Sequence, residues 1–569
     1  MLSNKEIAGI LKLTTSLMEM YEANQFKIRA YAGAVFQLEK TEAQVASLDK
    51  PALVALGFSE SMADKLLALA RTETLPELDE LRQQTPPGVI DMLSVKGLGA
   101  KKVKAIWHEL QVESLHELLE ACRAGKVAQL KGFGEKTQDA IIKEIDFRTA
   151  NSDKLHYADA EALALELEQA LATSGLVKHL SLSGQIRLRA EVVDTVQLLA
   201  VPEDSEALRT FLASQAFLET DAPRSSPFAW RGYFRSPDTG ERSLRAEVKF
   251  TDEPHFAGEL LLASAAPAHL AQAKLSRAAK SGAHASEAAI YESVGLPYFA
   301  PELREGLFEF ELAQAGLPKL VEMSDLRGIL HNHSTYSDGK HTLEQMALAC
   351  RDLGYEYLGI SDHSQSAFYA NGLTVDRIQR QHEEIDRLNE KLAPFKIFKG
   401  IEADILNDGS LDYPDQVLAT FDFIVASIHS NLRMDRDKAT QRLLRAIANP
   451  YTTILGHPTG RLLLRREGYP IDHEAIIEAC AAHQVVIEIN ASPWRLDLDW
   501  RWVHQALARG VRTSINPDAH EQEGYADMYY GLLVARKGGA EKKDVFNTLG
   551  QAEIGEYFSQ KRENAKAIK

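Results

Sequence analysis

The sequence predicts a multidomain fold: an all-α N-terminal region, a mixed α/β middle and a C-terminal parallel α/β barrel. Three observations carry that prediction. At 569 residues the chain is too long for one hydrophobic core, and three to five domains are expected. Up to about residue 150, apolar positions recur at three- and four-residue spacing, as in IAGILKLTTSLMEMYEA and MADKLLALAR, with no long alternating runs. From Gly328 onward, short apolar strand-like runs alternate with helical stretches, the pattern of a parallel sheet with crossover helices.

Composition narrows the class. The 45% hydrophobic and 25% charged content is that of an ordinary globular protein. No run of ~18 apolar residues is present, and MLSNKEIAGILK lacks the layout of a signal peptide, so a cytoplasmic, non-membrane, monomeric protein is expected. Cys122, Cys350 and Cys480 are far apart and read as reduced thiols. A formal net charge of -17 argues against coating nucleic acid by bulk electrostatics but leaves room for a local basic footprint.

The helical region holds two such footprints. LSVKGLGAKKVKAIWHEL and LKGFGEKTQDAIIKEI share the form apolar-x-Gly-apolar-Gly followed by a helix carrying lysines. Two glycines in a tight turn let backbone N–H groups approach a phosphate, and the helix N-terminus behind them favours its charge. Lys96, Gly97, Gly99, Lys101 and Lys102 in the first copy, with Lys104 behind them, and Lys131, Gly132, Gly134 and Lys136 in the second, are the expected DNA-binding residues. ALGFSESMADKLLALA is a weaker third copy, with Ser59 where the second glycine would be. The two strong copies resemble helix-hairpin-helix motifs, which grip the DNA backbone without reading sequence.

With those hairpins, NQFKIRAYAGAV resembles the small DNA-end-binding domain of bacterial family X DNA polymerases, and VGLPYFAPELREG resembles the end of that family's thumb. The resemblance implies a nucleotidyltransferase-like palm between them, built from alternating segments such as HLSLSGQIRLRAEVVDTVQLLAV and RSLRAEVKF. In the family the palm carries a Gly-Ser start, two aspartates one residue apart and a third aspartate on a later strand, which hold two Mg²⁺ ions. Counting from Gly184, Gln185 replaces the serine, Thr195 and Gln197 replace the paired aspartates, and Arg245 stands at the third position. Asp194 lies one place early, expected on the opposite face of its strand. A palm that has lost nucleotidyl transfer is expected. Lys27 lies where some members have lyase chemistry, and reads as a surface lysine.

At the C-terminal ends of successive apolar runs stand His331 and His333, Asp362 and His363, Glu402, His429, His457, and Asp518 with His520; VVIEIN leads into Ala491-Ser492-Pro493. Polar residues at the ends of serial parallel strands converge on one rim of an α/β barrel, and an HxH pair at a strand end points both rings the same way. The series resembles the PHP (polymerase and histidinol phosphatase) domain that bacterial family X polymerases carry. The resemblance implies a distorted (β/α)7 barrel and nine ligands to three divalent metal ions. His331, His333, Glu402 and Asp518 would hold the first ion; Glu402, His429 and His457 the second; Asp338, His363 and His520 the third. HPTGR and EINASPWRLDL resemble the polymerase-linked branch of the family. Six histidines and three carboxylates suit Mn²⁺ or Zn²⁺ better than Mg²⁺ or Ca²⁺. Glu402, Asp518 and His520 are expected to carry the chemistry, with Arg461 steadying a phosphate through its planar fork.

Such a ligand set points to metal-assisted hydrolysis of a phosphate ester. Three substrate readings stay open at this point: a Mn²⁺-dependent DNA 3'→5' exonuclease, also acting on abasic or blocked 3' ends in DNA repair; a small-molecule phosphatase of the histidinol-phosphatase type; and an active gap-filling polymerase or a non-catalytic DNA-end scaffold. The glycine hairpins favour the first, with primer-template, gapped or 3'-ended DNA as partner. The expected boundaries are a DNA-end-binding domain at 1–80, helix-hairpin-helix fingers at 81–150, palm at 151–242, thumb at 243–312, linker at 313–326 and PHP domain at 327–569.

Overall fold

The computed structural model describes residues 2–41, 43–236 and 241–567. Contacts gather the chain into two compact units, Met1–Ser152 and Asp153–Lys569.

The first unit is helical throughout its described residues: α1 (Asn4–Met20), α2 (Gln25–Glu39), α3 (Lys50–Ala55), α4 (Glu60–Thr72), α5 (Pro76–Gln84), α6 (Pro87–Met92), α7 (Ala100–Leu110), α8 (Leu115–Arg123) and α9 (Glu135–Asn151). Side-chain caps set most of the starts. Ser3 and Glu6 form a reciprocal box on α1, and Asn24, Asp49, Ser59 and Ser114 accept from the first turns of α2, α3, α4 and α8. α7 and α9 differ, because Gly99 and Gly134 precede them and contribute no side-chain cap. Their first N–H groups therefore stay available to an outside acceptor. The expected boundary at residue 80 falls inside α5, whose Leu78 belongs to the same apolar core as α1 to α9.

The second unit opens with β1 (Leu155–His156) and β3 (Val192–Val193), a short antiparallel ladder. A five-stranded sheet follows, from β2 (Val177–Ser183), β4 (Thr195–Pro202), β5 (Leu218–Thr220), β6 (Ala229–Arg235) and β7 (Arg242–Phe250), in the order β2-β4-β7-β6-β5. Only β4 and β7 pair in parallel; the rest is antiparallel, as the alternating segments require. The expected palm boundary at 242 cuts into β7, and the palm sheet runs through Phe250 because β7 is hydrogen-bonded on both sides. The thumb region is a helical cluster around Leu261, Tyr291 and Phe299. It is tied back to the palm by Glu287, which accepts from Arg187 and from the fully buried Arg304.

Seven parallel strands build the C-terminal barrel: β8 (Gly328–Ile329), β9 (Tyr357–Ile360), β10 (Lys396–Asp404), β11 (Phe423–Ser427), β12 (Ile454–Leu455), β13 (Val486–Asn490) and β14 (Thr513–Asn516), each neighbouring the next in the sequence. The last strand reaches round to the first. Asn332 bridges to Ala519 at the C-terminal rim. Lower down, Asn547 fills the seam: its amide donates to Gly328 O (3.1 Å) and Ile515 O (2.8 Å), and its carbonyl accepts from Ile515 N (3.1 Å).

The segment 313–326, expected as a linker, is fastened to the barrel. It begins inside a helix, Glu309–Ala315, and Val321 is buried with its N–H on Ala540 O. An extended chain cannot bury an apolar side chain and a backbone donor while swinging freely.

Asn547→Ala would leave two carbonyls and one N–H unpaired in the seam, at about 1–3 kcal/mol each. The expected outcome is a loss of several degrees or more in the barrel's thermal midpoint, read by circular dichroism; an unchanged midpoint would mean that the seam is closed by something else.

Candidate functional site

All nine side chains expected from the sequence meet at the C-terminal rim of the barrel. Glu402 is the centre. Its Oε1 lies 3.2 Å from His331 Nε2, 3.1 Å from His429 Nε2 and 3.0 Å from His457 Nε2. Its Oε2 lies 2.9 Å from His363 Nδ1 and 3.7 Å from His333 Nε2. Asp518 Oδ1 is 3.0 Å from His333 Nε2 and 3.5 Å from His331 Nε2, while Asp338 Oδ1 is 3.4 Å from His520 Nε2 and 3.7 Å from His363 Nε2.

The ligand-type atoms fall into four overlapping groups, each within 4.8 Å: His331, His333 and Asp518; His331, Glu402 and His457; His363, Glu402 and His429; and His333, Asp338, His363 and His520. The first holds three of the four partners expected for the first ion, without Glu402; the last holds the three expected for the third ion plus His333; and the three expected for the second are divided between the middle groups. His363 turns one nitrogen to Glu402 and the other to Asp338, so it joins two groups where the sequence suggested one.

Each strand delivers its residue for a local reason. Glu402 lies within β10, and the others follow the ends of β8, β9, β11, β12 and β14. Three of the nine hold left-handed backbone, His331 (φ 59°), His457 (φ 22°) and Asp518 (φ 54°). Non-glycine residues adopt this region at a cost, and the cost persists where surrounding bonds over-determine the position.

At His331 and His457 those bonds come from Glu488, and the site is framed further by Asp404, which sequence reasoning missed with it, and by Asp362. Glu488, fully buried on β13, accepts from His331 Nδ1 (2.5 Å), the His457 backbone N–H (2.6 Å) and Asn516 Nδ2 (2.9 Å). Asp404 accepts from His429 Nδ1 at 2.5 Å. Asp362, at a strand end, turns away from the centre and accepts from the N–H and hydroxyl of both Ser334 and Ser337, pinning the turn after the HxH pair. An acidic residue two positions after a ligand (Asp404) or inside a buried strand (Glu488) was the available signal.

The electrostatics are those of a closely packed acid–imidazole cluster. Burial opposes the ionisation of Glu402, yet the charges of His429, His331 and His363 hold its carboxyl well below the usual range. Asp518 is likewise held down, burial being outweighed by His331 and His333. Burial is also outweighed at His429, pushed up to about 10 by Glu402 and Asp404, and at His520, pushed up to about 9 by Asp338 and Asp518. His333 goes the other way, to about 3, through burial beside His520 and His363.

Divalent cations fit these residues. His331 Nε2, His333 Nδ1, His363 Nδ1, His457 Nδ1 and Glu402 Oε2 are buried and have no hydrogen-bond partner. Buried lone pairs left unmatched are costly, and cations satisfy those that face one another. The Nδ1–H bonds of His331 and His429 to carboxylates leave their Nε2 lone pairs facing inward, the orientation that metal ligation uses.

Arg461 does not face this centre. Its guanidinium donates to Asp499 (2.9 Å), Glu191 (2.5 Å), Arg495 O (2.8 Å) and Leu496 O. Three of these acceptors lie in the barrel and Glu191 on the palm side, so the side chain expected to steady a phosphate links palm to barrel. Arg495 stands closer to it, with Nε 3.8 Å from Asp518 Oδ2.

In the palm, the expected positions lie side by side on two strands. Thr195 pairs with Arg245 and Gln197 with Glu247 across β4 and β7. Arg245 binds Asp153, and Glu247 accepts from Gln197 (2.7 Å) and Arg231 (2.7 Å). Asp194 precedes β4 rather than lying within it, and accepts from Thr195 Oγ1. Among the described residues, no metal-type group of three falls in this sheet.

In the helical unit, Gly97 (φ 93°) and Gly132 (φ 86°) make the turns that only glycine adopts freely. A Cβ added at Gly97, Gly99, Gly132 or Gly134 would meet nothing within 4 Å. Lys96, Lys101, Lys131 and Lys136 are exposed. Lys102 donates to Gly97 O and lies 5.5 Å over the Phe133 ring, which brings the two loops together. Lys104 is paired with Glu22 at 2.7 Å. In the third copy, Ser59 Oγ accepts from Met62 N and so occupies the helix start itself. Lys27 is exposed.

Comparisons with known proteins agree with this layout. A PHP domain model matches residues 330–492, and a SAM-like helix-hairpin-helix tandem model matches residues 89–146. The chain is 33% identical over 564 residues to the DNA polymerase/3'-5' exonuclease PolX of Bacillus subtilis (strain 168), spanning 97% of this chain and 98% of that protein. A probable phosphatase of Thermoanaerobacter sp. (strain X514) is 30% identical over 185 residues, 31% of this chain and 73% of its own length. A ternary complex of Leishmania infantum polymerase beta aligns with 38% of this chain and 98% of its own at 15% identity, with a TM-score of 0.24.

Glu488→Gln keeps the shape of the buried strand but weakens the acceptor that orients His331. The expected outcome is a 10- to 100-fold weaker affinity for Mn²⁺ or Zn²⁺, read by competition with a fluorescent chelator. Affinity equal to wild type would show that His331 needs no such orientation.

Proposed function

We propose that this chain, which belongs to the PolX family, is a Mn²⁺-dependent phosphodiesterase that removes nucleotides from DNA 3' ends, including abasic and blocked ends, in DNA repair. The observation that carries this reading is the convergence of nine histidines and carboxylates at the barrel rim, eight of them buried or half-buried and five with an unpartnered buried polar atom. The ions proposed are three, Mn²⁺ or Zn²⁺, with the assignments given by the resemblance. When bound, such ions supply Lewis acidity that activates a water and neutralises charge on a phosphoryl group.

The chain's own residues divide the remaining work. Glu488, Asp404 and the Ser334–Asp362 contacts hold the imidazoles in register. Arg495 would anchor a nonbridging phosphate oxygen beside Asp518. Asp338 and His520 are the most exposed of the nine, with side chains 37% and 36% accessible, so they mark the side on which substrate enters. The glycine loops of the helical unit would take the DNA backbone, since their N–H groups and the space above them are free of side chains. Polymerisation is proposed to be absent, because Thr195, Gln197 and Arg245 offer no anionic ligand where the family's palm has three.

The test uses metal-loaded protein with 3'-labelled and 5'-labelled primer-templates, histidinol phosphate in parallel, and dNTPs in a separate reaction. Stepwise shortening from the 3' end, abolished by His331→Ala, is expected, with no primer extension. Phosphate release from the small molecule alone would overturn the DNA reading, and template-directed extension in His331→Ala would overturn the loss of polymerisation.

The loops are tested separately by Gly99→Ala with Gly134→Ala, which adds methyl groups in open space on ordinary backbone. DNA affinity is expected to fall about tenfold, ~1.4 kcal/mol, with hydrolysis of a small chromogenic phosphodiester unchanged. Equal losses on both would make the loops structural.

A further inference from the structure

The loop that follows His363 is closed by hydrogen bonds at both ends, and it displays two aromatic rings to solvent. Ser364 Oγ and Ser366 N donate to Asp412, at 2.8 and 2.9 Å, and Gln365 N donates to the Tyr413 hydroxyl at 3.1 Å. Leu373 N returns to His363 O and Gly372 N to Ala367 O. A Cβ at Gly372 would stand 1.9 Å from Ser364 O, so the loop closes only around glycine. Asn371 Nδ2 reaches Ser337 O (3.2 Å), beside the candidate ligand Asp338. Ala367 and Ala370 are buried, yet between them Phe368 is 85% exposed and Tyr369 63%.

Single exposed apolar side chains are common and need no explanation. Here two adjacent aromatics are held outward by a loop whose backbone leaves them little freedom. The Tyr369 ring lies 6.5 Å from the ring of His363, and the two aromatic rings meet edge to face at 6.1 Å and 78°. Arg495 is the arginine of the same rim, while the ring of its neighbour Trp494 is taken up by His156 at 4.1 Å and Arg465 at 4.5 Å. Aromatic faces beside a cationic phosphate anchor are the elements by which proteins hold single-stranded nucleic acid, each base stacking without regard to sequence. A small phosphate ester would need no such surface.

We propose that Phe368 and Tyr369 form a preformed stacking platform for the unpaired terminal nucleobase of a DNA 3' end, so that the barrel itself selects a frayed or single-stranded terminus. This deepens the exonuclease reading and rests on it. A base stacked here is immobilised next to the ligand His363, and its 3'-terminal phosphodiester is thereby brought to the metal-binding rim. The platform contributes binding and position, not proton transfer.

The experiment uses the full-length, Mn²⁺-loaded protein and an oligonucleotide with a 3'-terminal 2-aminopurine behind a slowly cleaved phosphorothioate linkage, followed by stopped-flow fluorescence. Stacking quenches this base. Wild type and Tyr369→Phe are expected to quench it, and Phe368→Ala with Tyr369→Ala to lose the quench; the same fluorophore near the 5' end reports no change in any of them. In parallel, kcat/KM is compared between a normal 3' nucleotide and a 3'-terminal baseless tetrahydrofuran residue. Wild type should favour the base-bearing end about tenfold or more, and the double variant should bring the ratio near one.

Both rings are exposed, so the alanine variants are expected to melt as wild type does, which circular dichroism checks. A quench that persists in the double variant, or a wild type that never quenches, overturns the platform. If wild type quenches the base but shortens no DNA, the exonuclease reading fails and the platform stands. If wild type shortens DNA with a ratio that the variants do not change, the platform alone fails.

Discussion

Everything in the C-terminal half is organised around one unfavourable arrangement: a buried carboxylate, Glu402, within 3.7 Å of five imidazoles. Side chains of this kind are mostly found at surfaces, and bringing them together costs desolvation and repulsion among partly charged rings. The fold meets that cost by building a rigid frame around them. Glu488 and Asp404 fix ring orientations, Asp362 fixes the turn after the HxH pair, and Asn547 and the Asn332–Ala519 bridge close the barrel that carries them. Left-handed backbone at His331, His457 and Asp518 is a further local cost that the same frame sustains.

The palm has gone in the opposite direction. Charged side chains of its sheet are paired locally, Arg245 with Asp153 and Arg231 with Glu247. Its contact with the barrel is correspondingly elaborate. Arg461 joins Glu191 to Asp499, Lys537 reaches Leu188 O and Glu305, and the His156 ring bonds Leu463 O. The palm sheet thus supports the barrel, and Arg461 takes part in that support.

Much of this was legible in the sequence. The nine converging side chains were, because parallel strands of a barrel deliver their C-terminal ends to one rim and the resemblance to PHP domains implies which residues gather there. The glycine turns were legible for the same kind of reason, since φ near +90° at Gly97 and Gly132 leaves few alternatives to glycine. What stayed hidden depended on contacts between distant segments. Nothing local distinguishes Arg461 from Arg495, and only the 2.5 Å contact to Glu191, 270 positions away, decides that the first is a brace. The boundaries at 80, 242 and 313 fell inside α5, β7 and the helix at Glu309–Ala315 because composition changes gradually where hydrogen bonding does not. Phe368 and Tyr369 gave no periodic signal at all, and their meaning comes from the ordered loop beneath them.

The central claim is that these nine side chains hold a cluster of ions rather than a hydrogen-bonded polar core. The most direct measurement is metal content per chain by inductively coupled plasma mass spectrometry, after loading with Mn²⁺ or Zn²⁺ and removal of free metal. The account predicts about three tightly held ions per chain, falling sharply in Glu402→Gln, as expected for a carboxylate shared between groups. Retention of one ion or none by the wild-type protein, or a content that Glu402→Gln leaves unchanged, would contradict it.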